Sequence, residues 1–149
     1  MLLAIAAAAG FAIAVQSPWW SVAEVQIGPF GSHHCFGGEC RETGLAWVQG
    51  SDLWMRSAVA TRAAGYIAMF VLLMLAGALA AKREPRLVAR GTLAAIVTAA
   101  ACGTYFVAAF PGVPSAGIDR GVFFFAGSIA LAVAAVVTFL RLASRHAPR

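Results

Sequence analysis

Residues 59–81, 87–110 and 122–140 each run for about the length of a membrane-spanning helix with at most one charged side chain apiece. Some 20 apolar residues in an α-helix cover the roughly 30 Å hydrocarbon core of a bilayer. In lipid every backbone N–H and C=O must find its partner inside the protein, so a continuous apolar run of this kind is confined to helix. Composition agrees: the chain is 61% hydrophobic and 11% charged, whereas a soluble domain carries about a quarter charged residues. The runs are separated by helix-breaking and basic segments. Lys82, Arg83, Pro85 and Arg86 form one tight turn. Pro111-Gly112-Val113-Pro114 ends the next run, and Asp119-Arg120-Gly121 precedes the last.

A fourth apolar run, residues 1–16, is shorter, about 24 Å as a helix. Two readings of it are open. Pro18 and the pair Trp19-Trp20 suit the interfacial end of a first transmembrane helix. Ala12-Ile13-Ala14 has the small-x-small form of a signal-peptide cleavage site, but no Lys or Arg precedes the apolar run. The retained helix is the expectation. Orientation follows from charge. Seven of the eleven Lys and Arg residues lie at 82–90 and 141–149, and the other four are Arg41, Arg56, Arg62 and Arg120. Positive-inside logic places the basic turn and the tail in the cytoplasm, with both termini inside and residues 17–58 outside, in a multi-pass protein of the cell membrane. Placed at the flanks of apolar runs, the net charge of +5 does not form an aromatic-interleaved basic groove, and nucleic acid is not an expected partner.

Residues 17–58 are the polar exception, holding four of the six acidic residues, all four tryptophans and two of the three cysteines. Val25 and Ile27 alternate with Glu24 and Gln26, and Leu45 and Trp47 with Ala46 and Val48, as in short strands. Gly28-Pro29 and Gly37-Gly38 mark turns between them. A small antiparallel sheet is expected here. Ser51 is placed to cap a helix that starts near Asp52 and continues into the next apolar run. The fold class is therefore an all-α membrane protein, a single four-helix bundle with a small extracytoplasmic sheet between helices 1 and 2. Small residues at four-residue spacing (Ala95, Ala99 and Gly103; Gly77 and Ala81) offer close helix contacts.

If Gly37-Gly38 is a two-residue hairpin turn, Phe36 faces Glu39 and Cys35 faces Cys40. That second pair is a non-hydrogen-bonded site, with Cα atoms about 4.5–5.5 Å apart, within the reach of a disulfide. An exported location permits the bond. A soft-metal site from His33, His34, Cys35 and Cys40 is the sharper alternative, but Arg41 stands where a covalent haem motif needs His, and a second pair of zinc ligands is missing. Cofactors are not expected. Cys102 suits packing. Arg62, Asp119 and Arg120 lie near the outer interface, and the helix centres hold neither a carboxylate nor a histidine of the kind that pumps need. With no Ser/His/Asp set, phosphate loop or paired carboxylates, an enzyme is not expected and no catalytic residue is nominated.

The layout resembles the claudin and peripheral-myelin-protein superfamily of tetraspan proteins. In that family, four helices keep both termini inside, and a first outer segment of some fifty residues forms a small sheet with an early tryptophan and a disulfide. Trp19 or Trp20 matches the tryptophan, Cys35 with Cys40 matches the cysteine pair, and the second outer connection is short in both. The Gly-Leu-Trp element of the family precedes its first cysteine, whereas Gly44-Leu45-Ala46-Trp47 follows the second here, and the cysteines are closer together. The expected role is that of an interaction or structural protein of the cell envelope, bound to a protein partner or to further copies of itself. Trp19, Trp20, Phe36, Trp47 and Trp54 are the candidate anchors. For Trp19, Trp20 and Trp54 an ordinary aromatic belt at the membrane surface competes with that role. An accessory subunit of a respiratory or transport complex is the alternative, with a small transporter or channel behind it.

Overall fold

The computed structural model describes residues 1–81 and 86–145. Four helices, α1 (Leu2–Gln16), α2 (Asp52–Ala80), α3 (Arg86–Ala108) and α4 (Arg120–Arg145), pack as a ring in which α1 touches α2 and α4, and α3 touches the same two. The helices α2, α3 and α4 each contain a span long and apolar enough to cross a membrane. The shorter α1 is apolar up to its last residue, Gln16. The chain is thus a multi-pass membrane protein. Most of the basic turn and the end of the tail, residues 82–85 and 146–149, lie outside the described residues.

The buried residues of α1 are Ala4, Ala7, Ala8, Phe11, Ala14 and Val15, a three-and-four spacing that lines one helix face. Because most are alanine, the neighbouring backbones come close. A Cβ on Gly10 would collide with Ser128 Oγ of α4, and one on Gly65 of α2 would collide with Val15. On α3, Gly103 leaves room for the ring of Phe125 and Ala99 is fully buried. The expected small-residue contact at Gly77 is not made: a Cβ there would meet open space. The glycine-mediated approaches are instead those of Gly10 to α4, Gly65 to α1 and Gly103 to α4.

At one end of the bundle sits a five-stranded antiparallel sheet in the order β4-β3-β2-β1-β5. Strands β1 (Trp20–Val22), β2 (Val25–Gly28), β3 (Gly31–Phe36) and β4 (Glu39–Thr43) form a meander between α1 and α2. The fifth, β5 (Gly117–Ile118), comes from the α3–α4 connection and pairs with β1 through Trp20↔Ile118 and Ser21↔Gly117. Two more main-chain bonds extend this join, Asp119 N to Trp19 O at 2.9 Å and Gly121 N to Pro18 O at 2.8 Å. Gly121 is the residue the crossing requires, since a Cβ would strike both Trp19 and the Pro18 carbonyl.

The alternation at residues 45–48 does not make a strand. Ala46–Val48 is a short 3-10 turn. At three residues per turn, positions 45 and 48 eclipse, and Leu45 and Val48 are accordingly both buried. Ser51 caps α2, its Oγ accepting from Trp54 N at 3.2 Å.

Under the sheet, an aromatic plug closes the bundle end. Trp19 packs on Phe106 and Phe125, Trp20 stacks on Phe110 with centroids 4.2 Å apart, and Trp54 stacks on Phe106 at 5.2 Å. Phe11 meets Phe125 edge-on. Both fully buried indoles are polar-satisfied at helix ends: Trp19 Nε1 donates to Ala14 O at 2.9 Å and Trp54 Nε1 to Phe106 O at 3.0 Å. These carbonyls belong to the last turns of α1 and α3, where helical i→i+4 donors run out; that of Ala14 also takes the Ser17 N–H, at 3.4 Å. Trp19, Trp20 and Trp54 are therefore interior residues, and neither the membrane-surface belt nor the role of displayed anchor describes them. The reason is topological. Alternating helix directions carry the C-terminal ends of α1 and α3 and the N-terminal ends of α2 and α4 to the same end, so the aromatics of all four meet.

Candidate functional site

The Gly37-Gly38 turn uses two positive-φ glycines, at 61° and 88°, the backbone that a two-residue hairpin of this kind needs. It sets the register of β3 and β4: Ser32↔Thr43, His33↔Glu42, His34↔Arg41, Cys35↔Cys40, Phe36↔Glu39. Cys35 sends its N–H to Glu24 O on the other side, at 3.0 Å. Opposite Cys40 it is thus a non-hydrogen-bonded position, where side chains approach closest. The disulfide forms across it, with Cα atoms 4.0 Å apart.

Strand alternation sorts the hairpin into two faces. One holds the disulfide with His33 and Glu42, whose Nε2 and Oε1 atoms are 3.4 Å apart. The other holds Ser32, His34 and Phe36 opposite Thr43, Arg41 and Glu39. Trp47 folds back onto this second face, its ring edge-on to His34 at 4.9 Å and its Nε1 donating to Ser32 Oγ at 2.8 Å. Ser32 is 1% exposed and its hydroxyl is a hub. It lies 2.7 Å from Thr43 Oγ1, 3.1 Å from Gly44 O, 3.3 Å from Thr43 O and 3.2 Å from His34 Nε2. One serine therefore ties the 43–47 segment to the sheet and fixes the Trp47 rotamer.

Beyond the Trp47 ring the face opens into a recess of about 250 Å³ lined by His34, Phe36, Glu39 and Arg41. Arg41 and Glu39 sit 3.8 Å apart at its rim, both well exposed. Phe36 is 61% and Trp47 39% exposed. Strand β4 is exposed along its whole length and forms the free edge of the sheet. Its unpaired main-chain groups, by alternation those of Cys40 and Glu42, point away from β3. The recess can stack on a flat or apolar group, pair with a charge of either sign, and accept an added strand.

The proposed metal ligands do not come together. The sulfurs of Cys35 and Cys40 are bonded to each other, and alternation turns His33 and His34 to opposite faces, towards Glu42 and Ser32. Among the described residues, no group of three or more His, Cys, Asp or Glu side chains is placed to hold a metal ion. Of the five aromatic candidates, only Phe36 and Trp47 lie on this surface. Ser32 is a residue type that carries no signal in the sequence; only its pairing opposite Ile27, a buried position of β2, marks it as inward-facing. No family model, curated protein or solved structure matches this chain.

Proposed function

We propose that this is a non-enzymatic tetraspan protein of the cell membrane, similar in plan to the claudin and peripheral-myelin-protein superfamily, that binds a protein partner through the outer face of its stapled hairpin. In this reading the sheet end faces out of the cell and both termini face in, on the strength of the basic residues at 82–90 and 141–149. The supporting observation is the presentation of Phe36. A large apolar ring is held 61% exposed beside a disulfide and next to an open, charged strand edge. Exposed aromatics on a rigid element lose little entropy when covered, and they dominate interface energetics.

The test places a photo-crosslinking residue at position 36, and separately at Phe70 on the lipid-exposed face of α2, in intact cells. A discrete protein adduct at position 36 and not at 70 is the expected result. Adducts to the same set of redox or transport subunits at both positions would establish the accessory-subunit alternative instead. Sidedness is measured independently. Cys35 and Cys40 should become labelled by an impermeant maleimide only after treatment of intact cells with an impermeant reductant. Labelling confined to broken cells would invert the topology.

A further inference from the structure

The sheet-side half of the α2–α3 face carries two adjoining hollows, of about 390 and about 300 Å³, that share Ala60 and Cys102 in their walls. Together they make one groove from Leu53 and Arg56 at the sheet end to Ile67 inside the bundle span. Fourteen residues of α2 separate Leu53 from Ile67, a length of about 21 Å. The floor consists chiefly of alanine, so it is hollow because its side chains are short. Every wall residue in the deeper hollow is apolar or small. The shallower end alone holds a charge, Arg56, together with Tyr105. Among the described residues, Arg56 forms no ion pair and the Tyr105 hydroxyl has no hydrogen-bond partner.

We propose that this groove binds one phospholipid of the sheet-side leaflet, with an acyl chain along Ala60 and Cys102 and the phosphate against Arg56 and Tyr105. The depth fits. Some nine residues of the 29-residue α2 exceed what a bilayer core of about 30 Å requires, and the charges of α2 (Asp52, Arg56 and Arg62) all lie towards its sheet end, with none at 63–80, which puts the excess there. Arg56 is then at headgroup level and Ile67 within the hydrocarbon. The chemistry fits too, because a guanidinium binds phosphate through charge-assisted bonds and a tyrosine hydroxyl beside it supplies a further donor. Charge disfavours a second copy of this chain as occupant. Docking of the groove on itself about an axis normal to the membrane brings two Arg56 side chains to one depth, and the lining holds no carboxylate to separate them.

The experiment uses the full chain, delipidated in mild detergent and titrated with palmitoyl-oleoyl phosphatidylglycerol or with the matching uncharged diacylglycerol, read by native mass spectrometry. Wild type should form a one-to-one phosphatidylglycerol adduct. Arg56→Gln, an exposed position that does not touch the fold, should weaken it about tenfold, the equivalent of one charge-assisted contact. Ala60→Phe should abolish it, and Ala126→Phe, which fills the separate α3–α4 hollow, should leave it intact. Equal adducts in wild type and both groove variants overturn the proposal, as does equal binding of the diacylglycerol. A dimer that Ala60→Phe converts to monomer with no change in lipid would assign the groove to a second copy.

Discussion

The indole N–H of Trp54, in the first turn of α2, donates to the main-chain carbonyl of Phe106, in the last turns of α3, across 3.0 Å. One bond therefore fastens the beginning of one membrane span to the end of the next, at the only depth where α3 has carbonyls to spare. The same ring stacks on the Phe106 side chain, so a single residue pair contributes packing and polar satisfaction at once.

Trp54→Phe keeps most of the packing and removes the donor. With a buried carbonyl left unpaired, the loss should be about 1–3 kcal/mol, and Trp54→Ala should cost about 3–5 kcal/mol through the added cavity. Reversible unfolding in mixed micelles measures both. A Trp54→Phe variant as stable as wild type would show that the bond contributes nothing.

Gly10→Ala should destabilise by about 1–3 kcal/mol, as overpacking does, because its Cβ meets Ser128 Oγ. Ser128→Ala removes that atom, and the Ser128 Cβ is then at 3.4 Å. The double variant should therefore recover much of the loss, giving a coupling in a double-mutant cycle above the additivity error of about 0.5 kcal/mol. Strict additivity would mean that α1 and α4 do not meet at this point.

Thr61 is fully buried, and its Oγ1 is the one buried side-chain polar atom found without a partner among the described residues. Thr61→Val has the same outline and lacks the orphan hydroxyl, so it should be neutral or stabilising by about 1 kcal/mol. A clear destabilisation on micelle unfolding would reveal a partner for the hydroxyl.

Ser32→Ala takes the acceptor from Trp47 Nε1 and the hub from Thr43 and Gly44. Faster amide hydrogen exchange over residues 43–48 is expected, with the Trp54–Phe106 plug and the helices unchanged. A loss of about 1–3 kcal/mol in the local opening free energy is the anticipated size. Unaltered exchange in that segment would remove Ser32 from its structural role.

Several elements are legible from local chemistry alone. The two glycines of the β3–β4 turn, the register they impose and the disulfide between Cys35 and Cys40 all follow from hairpin geometry over six residues. The Ser51 cap is equally local. The alternation at 45–48 misled because period-two patterning over four residues cannot be told from a 3-10 turn, in which Leu45 and Val48 share a side; the deciding interaction, Trp47 with Ser32, is fifteen residues away in sequence.

That apolar helices cross a bilayer, with a polar, cysteine-stapled sheet between the first two, follows from contiguous residues, because transfer free energy and turn preference are local properties. The fate of the tryptophans follows from packing instead. Trp19, Trp20 and Trp54 read as surface residues in a linear chain. They became the plug of the bundle because four helices bring Phe11, Phe106, Phe110 and Phe125 to one end, and β5, from the far connection, closes over β1. Those contacts join residues from opposite ends of the chain. A ring's surroundings depend on which segments meet around it, and that is set by the packing of all four helices together.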